Sequence, residues 1–400
     1  MFDVETFKDN APIIPYIKNF YPDKFEITKE TKGSLFCKCI FHQERTGSLV
    51  FFDNNNRYKC FGCGESGDII NLVSKIENLT FKEACEMIAH NTNQTVKFEE
   101  PNPHYEKYKD NMNNHANRYI NNLNNNLEAM NYLLNIRKIS PDTINAFRLG
   151  VTDINEYQFR QDIGNISDKI VFPLIEHSSK PKCLGFSYRS YRDNNKPKYI
   201  NDHNQDGREG QDPNLKGVFI KGNILYGFNQ ARKPARENNY IILCEGYFDV
   251  LSLYDCGIKN AVGIMSTNLT DNQIIELKKL SNNIILMLDM DTAGRISTLN
   301  HIKKLLLNNF NIGICEYDAH DPDELVNKLN HDGNKIHIEI INNITQSNEY
   351  IVKSITKDYN RIMSIERRKV INQLKEFEQF IPNEIDKDII KKLIYKEIGL

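Results

Sequence analysis

The chain has 400 residues, of which 40% are hydrophobic and 26% are charged, and its formal net charge is −2. The length predicts about two to four domains, and the near-neutral charge excludes a uniformly basic nucleic-acid coat, so any nucleic-acid site must be a local patch. The apolar runs are too short to span a bilayer, the acidic start lacks the layout of a signal peptide, and nine cysteines favour a reducing cytoplasm and a metal site.

Two short cysteine and histidine motifs near the start of the chain have the spacing of metal ligands. They supply four candidate zinc ligands: Cys39, His42, Cys60 and Cys63. Each motif has two residues between its ligands, and 17 residues separate the two motifs. One imidazole and three thiolates form the ligand set of a closed structural zinc site, so we expect one structural Zn²⁺ per chain. Cys37 is an alternative to Cys39, although the spacing to His42 favours Cys39.

The residues around these motifs predict a small domain followed by a linker. Residues 48–59 indicate a β-hairpin with an Asn-rich turn. After the second motif the apolar spacing becomes helical, and we assign residues 1–95 to a zinc-binding domain. The composition then shifts to Asn, Pro, Lys and Glu without clear periodicity, which predicts a linker over residues 96–115.

Helices and a basic stretch follow the linker. The apolar spacing predicts helices over residues 118–150. Short apolar runs predict strands at residues 170–174, 184–189 and 197–201. Six basic residues lie around the last two strands: Lys180, Lys182, Arg189, Arg192, Lys196 and Lys198. Tyr188, Tyr191 and Tyr199 are interleaved with them, a mixture that suits phosphate binding and base stacking, although a charged face in solvent is the simpler alternative on these residues alone.

Acidic residues follow three apolar runs in the second half of the chain, residues 240–244, 284–288 and 312–317, which predict parallel strands. Five carboxylates come after these runs: Glu245, Asp289, Asp291, Asp321 and Asp323. Taken singly, each is more simply a helix cap or a turn residue. Because open α/β sheets place their ligands at the carboxyl ends of parallel strands, we expect the five side chains to lie at one rim. Such a cluster repels itself unless cations hold it, and carboxylate oxygens suit Mg²⁺ or Mn²⁺.

This acidic pattern resembles the toprim domain that bacterial-type primases, topoisomerases and some nucleases share. The motifs are EGxxD from Glu245, DxDxAG from Asp289 and DPD from Asp321. The resemblance implies that Glu245, Asp289 and Asp291 are catalytic and that all five carboxylates bind catalytic Mg²⁺ or Mn²⁺. Glu245 is implied to act either as an acid or base or as a metal ligand.

Further segments resemble DnaG-type replication primases, in the order that this family has. CIFHQERTGS and YKCFGCGESGDIINL, around the four zinc ligands, are similar to the family's zinc ribbon. GFSYR, PKYIN and FIKGNILYG are similar to the motifs of its basic subdomain. The resemblance covers nearly all of residues 31–330. It implies that four residues bind the template or a nucleotide: Arg189, Lys198, Asn201 and Lys221.

The family resemblance implies a multidomain protein with α+β and α/β parts. These are an N-terminal zinc ribbon, a mixed α/β RNA polymerase core containing a Rossmann-like toprim subdomain, and a C-terminal helical bundle. We expect the basic subdomain of the core at residues 116–239, the toprim catalytic subdomain at residues 240–330 and the helical subdomain at residues 331–400.

The implied function is that of a DNA primase, a DNA-dependent RNA polymerase that synthesises short RNA primers on single-stranded DNA for replication. The expected partners are the template, ribonucleoside triphosphates and a replicative helicase or another replisome protein, with no membrane. The expected location is the bacterial cytoplasm.

The chain is short for a full bacterial primase, which argues against direct helicase docking and points to a phage or mobile element. A toprim metal-dependent nuclease and a non-catalytic zinc DNA-binding protein are the alternatives.

Overall fold

The computed structural model describes most of the chain, namely residues 4–77, 79–96, 102–154, 165–178, 180–192, 197–356, 364–381 and 384–398. The chain divides into two compact units, Met1–Pro101 and Asn102–Leu400. Among the described helices, none combines the length and the apolar composition that a membrane crossing requires.

The described residues of the first unit form a five-stranded antiparallel sheet with four helices. The strands are β1 Ile27–Thr31, β2 Ser34–Cys37, β3 Leu49–Phe52, β4 Arg57–Cys60 and β5 Ser66–Asp68, in that spatial order. The helices are α1 Val4–Asp9, α2 Ile13–Phe20, α3 Ile69–Glu77 and α4 Phe81–Asn91. The predicted hairpin is confirmed, since β3 and β4 pair directly. Its turn contains Asn56 in the left-handed region, with φ of 53°, and the Asn56 side chain accepts a hydrogen bond from Ile13 N at 2.6 Å.

The second unit begins with helices and a four-stranded antiparallel sheet. The helical segments are α5 Pro103–Asn124, α6 Leu127–Asn131, a π-helix at Tyr132–Ile136 and α7 Pro141–Ala146. The strands are β6 Gly150–Val151, β7 Ile170–Ile175, β8 Cys183–Arg189 and β9 Tyr199–Asn201, in that spatial order. Two 3₁₀ turns follow, at Pro213–Leu215 and Lys221–Asn223. The antiparallel pairing places the ends of β8 and β9 side by side, with Arg189 opposite Tyr199.

The predicted linker at residues 96–115 is wrong from Pro103 onward, because α5 begins there. Asn102 caps this helix by accepting a hydrogen bond from His104 N at 2.9 Å, and Pro103 occupies the first helical position. Four residues at helical spacing are buried: Met112, Ala116, Tyr119 and Leu123. The many asparagines between these positions hide their periodicity in the sequence. Residues 97–101 of the predicted linker lie outside the described residues.

A mostly parallel sheet with helices on its faces forms the next part of the second unit. The elements are α8 Phe228–Asn238, β10 Ile241–Cys244, α9 Tyr247–Asp255, β11 Ala261–Gly263, α10 Asp271–Leu280, β12 Asn283–Leu286, α11 Thr292–Leu307, β13 Asn311–Cys315 and α12 Pro322–Lys328. The strand order is β11-β10-β12-β13, and all neighbours in this set are parallel. The zinc-ribbon-like first unit and this sheet confirm the predicted fold class.

The last part of the chain is helical, but one strand interrupts it. The elements are α13 Gly333–Asn342, β14 Ile344–Gln346, α14 Ser347–Thr356, α15 Ser364–Glu378 and α16 Glu384–Ile398. The expectation of helices alone over residues 331–400 is therefore wrong at β14, which pairs antiparallel with β13 at the edge of the sheet. Buried residues of α14, α15 and α16, such as Ile351, Leu374 and Ile394, share one core with Leu243 of β10, so these helices cover one face of the sheet.

Candidate active site and zinc site

The four predicted zinc ligands lie together in the first unit. Cys39 and His42 follow β2, Cys60 ends β4, and Cys63 lies in the turn before β5. One ligand atom of each residue lies within 4.8 Å of those of the other three. A tetrahedral zinc–thiolate site with bonds of about 2.3 Å has sulfur–sulfur separations of about 3.8 Å. Cys39 Sγ and Cys63 Sγ are 3.9 Å apart, so the residues fit a structural zinc ion.

The cluster that the described residues form contains Cys39 and not the alternative Cys37. Cys37 is fully buried at the end of β2, where it pairs with Leu49 of β3. Burial opposes the ionisation of Cys60, but a hydrogen bond from Cys63 N and a contact between its sulfur and the Ser48 hydroxyl lower the pKa of its thiol to about 6. Burial raises the pKa of Cys39 to about 12, so a bound cation is needed to hold this sulfur as a thiolate.

Glu44 organises the zinc cluster without belonging to it. Its carboxylate accepts hydrogen bonds from the backbone N–H groups of Cys39 and Ser48, at 2.7 and 2.9 Å. Glu44 Oε2 also lies 3.4 Å from His42 Nε2. His42 Nδ1 lies 3.7 Å from Cys60 Sγ, so Nδ1 is the nitrogen that faces the other ligands. Glu44 therefore orients the imidazole through its second nitrogen, as carboxylates do at many zinc sites.

We expect Glu44→Gln to lower the zinc affinity by about 10- to 100-fold, because the variant loses the charge that orients and polarises His42. The measurement is competition for zinc against a chromophoric chelator. Glu26→Gln is the matched control, since Glu26 is an exposed glutamate whose partner is Lys38 at 2.7 Å, and it should leave the affinity unchanged. An unchanged affinity in Glu44→Gln would mean that the backbone alone orients the imidazole.

The candidate active site lies at the carboxyl ends of the parallel strands. β10 lies between β11 and β12, and the chain crosses from β11 over β10 to reach β12. The strand order therefore reverses between β10 and β12, which is where open α/β sheets bind their ligands. A cleft with a volume of about 480 Å³ opens there, with Glu245 from the end of β10 and Asp289 from beyond β12 in its lining.

Four of the five predicted metal ligands line this cleft: Glu245, Asp289, Asp321 and Asp323. β12 ends two residues earlier than predicted, at Leu286, so Asp289 lies in the loop beyond it. Asp321 caps α12, because its Oδ1 accepts a hydrogen bond from Glu324 N at 2.7 Å. Asp291 is exposed and is not among the described residues that line the cleft. It caps α11 by accepting a hydrogen bond from Gly294 N at 2.7 Å.

Asp323 has different surroundings from the other carboxylates. It is buried, and its Oδ2 forms an ion pair with Arg137 Nη1 at 2.6 Å. Its Oδ1 accepts a hydrogen bond from the Ser252 hydroxyl. Both oxygens of Asp323 thus have protein partners, and the ion pair holds Arg137 in the lining of the cleft. The metal-ligand role of Asp323 stays a prediction.

Two of the predicted metal ligands in the cleft are destabilised in their charged form. Burial, followed by repulsion from Asp289, raises the pKa of Glu245 to about 7. Burial and then repulsion from Asp321 raise the pKa of Asp289. Glu245 Oε1 is buried and has no hydrogen-bond partner among the residues that the structure describes. An unpartnered oxygen beside further carboxylates fits a bound divalent cation, which would supply the missing interaction.

The opposite wall of the cleft carries positive charge. All four predicted template- or nucleotide-binding residues line it: Arg189, Lys198, Asn201 and Lys221. Repulsion from Arg189, followed by burial, lowers the pKa of Lys198, and burial lowers the pKa of Lys221. Arg189 Nε is buried without an acceptor in the described part of the chain. This wall therefore offers an unused, charged donor to an anionic ligand.

The other residues of the basic stretch differ in their contacts and in their burial. Lys182 and Arg192 form ion pairs with acidic side chains. Tyr188 is fully buried, so the expectation that it stacks on bases is wrong. Tyr199 lines the cleft. Lys196 lies outside the described residues.

The cleft also contains residues that the sequence analysis did not assign. The guanidinium carbons of Arg137 and Arg189 lie 4.3 and 4.8 Å from the ring centroid of Phe248, which supports both cations. Asp249 accepts a hydrogen bond from Gly246 N at 2.7 Å, and burial is the main cause that raises its pKa to about 8. The EGxxD motif could have indicated Asp249, whereas Arg137 reaches the cleft from a distant part of the chain.

Two protein-family models match the chain. Residues 4–104 match the CHC2 zinc finger family, and residues 242–326 match a Toprim-like family. The first match contains the whole Cys/His cluster, and the two observations together support a structural zinc ion. The second match contains all five predicted carboxylates.

Several curated DNA primases match the chain. The DNA primase of Clostridium acetobutylicum is 31% identical over 396 residues, which cover 90% of this chain and 63% of the relative. The DNA primase of Campylobacter jejuni is 25% identical over 402 residues, which cover 94% of this chain and 62% of the relative. The chain thus spans somewhat less than two thirds of the length of these relatives.

Solved structures of DnaG primases share the fold. The zinc-binding and RNA polymerase domains of Aquifex aeolicus primase superpose with a TM-score of 0.60 and 22% identity, covering 100% of this chain and 98% of that one. A DnaG catalytic domain solved bound to single-stranded DNA has a TM-score of 0.61 and 21% identity, covering 74% of this chain and 98% of that one. The two family matches, the similarity to DNA primases and the shared fold all point to the family of DnaG-type primases.

Proposed function

We propose that the chain is a DNA primase, a DNA-dependent RNA polymerase that synthesises short RNA primers on single-stranded DNA. One observation carries this proposal. A single cleft has an unpartnered carboxylate oxygen of Glu245 on one wall and an unpartnered guanidinium N–H of Arg189 on the other. Nucleotidyl transfer needs both walls, one to hold cations and one to bind phosphates.

The substrates and the cofactor follow from the same cleft and from the family. We infer a single-stranded DNA template and ribonucleoside triphosphates as substrates, and Mg²⁺ or Mn²⁺ as catalytic ions. The relatives named as DNA primases and the DnaG domain solved with single-stranded DNA support this assignment. The proposal also implies a location with the replicating DNA, in a bacterial cytoplasm.

The five predicted carboxylates would hold the catalytic ions: Glu245, Asp289, Asp291, Asp321 and Asp323. When bound, Mg²⁺ or Mn²⁺ neutralises triphosphate oxygens and stabilises charge that develops at the α-phosphate. Glu245 has a second available role, since a pKa of about 7 suits a group that accepts the proton of an attacking 3′-hydroxyl. Asp323 would hold Arg137 in the phosphate-binding wall through their ion pair at 2.6 Å.

The cationic wall would bind and orient phosphates. Arg189 offers a buried N–H that has no acceptor among the described residues, and Lys198 lies close enough to Arg189 for repulsion to lower its pKa. An anion between these two side chains would relieve that repulsion. Asn201 accepts a hydrogen bond from the Ser187 hydroxyl at 2.5 Å, which fixes its amide in the lining of the cleft.

The test is primer synthesis on single-stranded DNA with labelled ribonucleoside triphosphates and Mg²⁺ or Mn²⁺. We expect short RNA products from the wild type and none from the Asp289→Ala/Asp291→Ala variant. Degradation of the template without incorporation of ribonucleotides would overturn the proposal in favour of a toprim nuclease. Full biological activity of the double variant would instead indicate a non-catalytic zinc DNA-binding protein.

Gly294 allows α11 to approach Asp289 closely, and a larger residue there should disturb the reaction. A Cβ at this position would lie 2.0 Å from Asp289 O. We expect Gly294→Ala to displace Asp289 and to lower the rate of primer synthesis by about 100-fold, because a misplacement of about 1 Å can cost that much. The measurement is the initial rate at saturating nucleotide.

Gly33→Ala is the control for this substitution, since a Cβ at Gly33 would meet no atom within 4 Å. It should retain the wild-type rate. A wild-type rate in Gly294→Ala would mean that the backbone of Asp289 can move without harm to the reaction.

A further inference from the structure

The loop after β11 contains three consecutive exposed residues at the edge of the cleft, Ser266, Thr267 and Asn268. The loop consists of residues 265–268, and its Ser266 and Thr267 line the cleft. None of the described residues accepts a hydrogen bond from the backbone N–H of Ser266, Thr267 or Asn268. Consecutive unpaired N–H groups form a site that attracts anions. The carbonyl groups of Met265, Thr267 and Asn268, in contrast, each accept a hydrogen bond.

The first peptide of the loop is held between the two walls of the cleft. Met265 N donates a hydrogen bond to Glu245 O at 2.9 Å, and Met265 O accepts one from Lys221 Nζ at 3.1 Å. Met265 has a φ of 58°, in the left-handed region that non-glycine residues rarely adopt. Because C=O and N–H point in opposite directions in a trans peptide, the N–H of Ser266 points away from Lys221.

Helix α11 holds the other end of the loop. The Ser297 hydroxyl donates to Thr267 O at 3.1 Å, and Lys304 Nζ donates to Leu269 O at 2.7 Å. His301 Nε2 accepts a hydrogen bond from Leu269 N at 3.2 Å, and burial lowers the pKa of His301 to about 4, so its imidazole is neutral and can accept. Since Thr267 C=O faces Ser297, the N–H of Asn268 in the same peptide points away from the helix.

We propose that residues 265–268 form a phosphate-binding loop that binds the triphosphate of the incoming nucleotide through these N–H groups and the Thr267 hydroxyl. This inference rests on the proposed function. The order of the strands places the loop next to Glu245, and Glu245 next to Asp289. An anionic ligand can lie beside carboxylates only with cations between them, and a metal-bound triphosphate brings those cations. The phosphate oxygens of the template backbone could accept the same hydrogen bonds. The experiments therefore test the nucleotide and the template separately.

The first measurement uses the wild type and follows backbone amide resonances during titration. We expect the ¹H–¹⁵N signals of Ser266, Thr267 and Asn268 to shift on addition of a nonhydrolysable adenosine triphosphate analogue with Mg²⁺, and also with inorganic triphosphate and Mg²⁺. Saturation with the analogue without a shift of these three signals would overturn the proposal. A shift only on addition of single-stranded oligodeoxythymidylate would also overturn it and assign the loop to the template.

The second measurement compares two variants of one residue. Thr267→Pro removes both the N–H and the hydroxyl, whereas Thr267→Val removes the hydroxyl alone and is the matched control. We expect Thr267→Pro to bind the analogue about 10-fold or more weakly than Thr267→Val in calorimetry, because hydrogen bonds to charged groups are the strong ones. Affinity for the labelled oligonucleotide, measured by fluorescence anisotropy, should be equal in the two variants. Equal nucleotide affinities would overturn the proposal.

These measurements do not require primer synthesis, so the two proposals fail separately. A wild type that shows the amide shifts but makes no primer would retain the loop and overturn the proposed function. Primer synthesis without the shifts would retain the function and overturn the loop. If Thr267→Pro does not fold, Ser297→Ala replaces it, because loss of the hydrogen bond to Thr267 O should weaken analogue binding about 3-fold or more. Unchanged binding in Ser297→Ala together with unshifted amides would overturn the proposal.

Discussion

Replacement of Asp289 by asparagine is expected to lower the rate of primer synthesis by about 1,000-fold while the chain keeps its fold. Asp289 is half-buried at the point where the strand order reverses, and asparagine has nearly its shape but neither its charge nor its affinity for Mg²⁺. The loss of a charge that holds a catalytic cation removes about 4 kcal/mol of transition-state stabilisation, which corresponds to this factor.

The same substitution should not destabilise the protein. Burial and then repulsion from Asp321 raise the pKa of Asp289, so the folded state holds its proton more tightly than the unfolded state does. The charged form therefore costs folding free energy once the pH exceeds the pKa of an unfolded aspartate, and the cost reaches its full value above the raised pKa. At neutral pH we expect Asp289→Asn to leave the melting temperature unchanged or to raise it, as is common at active sites.

The measurements are the initial rate of dinucleotide formation at saturating nucleotide and thermal melting followed by circular dichroism. Asp318→Asn is the matched control, because the Asp318 side chain is 98% exposed and its partner is Lys328, and it should retain the wild-type rate. Asp291→Asn keeps an oxygen that can accept the hydrogen bond from Gly294 N, so its effect on the rate isolates the charge from the helix cap. A folded Asp289→Asn variant with the wild-type rate would exclude Asp289 from the reaction.

Loss of the zinc cluster is expected to unfold the first unit and to leave the second unit folded. Cys60 is fully buried at the end of β4, which pairs with β3. Cys60→Ser removes a zinc ligand whose sulfur also accepts a hydrogen bond from Cys63 N. Zinc binding to small structural sites contributes about 10–16 kcal/mol, which exceeds the whole stability of many domains of this size. The second unit has its own cores and should not depend on the metal.

Zinc content by elemental analysis and amide hydrogen exchange by mass spectrometry measure this outcome. In Cys60→Ser we expect loss of the zinc ion and rapid exchange over residues 4–96, with protection retained in residues 102–398. Cys37→Ser is the control, and it should keep one zinc ion per chain because Cys37 lies outside the cluster. Zinc retained in Cys60→Ser would exclude Cys60 from the ligand set. Zinc lost in Cys37→Ser would assign the site to Cys37 in place of Cys39.

The family resemblance predicted the fold class, and local patterns in the sequence pointed to both candidate sites. The two-residue spacing within each Cys/His motif reflects the geometry of a short turn around one ion, and the structure brings those four residues together. Apolar runs that end in acidic residues identified the strands β10, β12 and β13, because parallel strands buried on both faces need continuous apolar sequence. The asparagine-rich composition hid the first part of one long helix, α5, because asparagines and charged residues surround its few apolar positions.

The sequence by itself thus determined which residue types reach the rim of the sheet, since strand periodicity and ligand spacing are properties of neighbouring residues. Only the tertiary structure decided what each carboxylate does there. Asp291 caps α11, and Asp323 is an ion-pair partner of Arg137, which is 186 positions away in the chain. The loop at residues 265–268 likewise acquires its conformation from Lys221 and from α11. Such partners meet only when distant segments pack, so no local pattern can encode them.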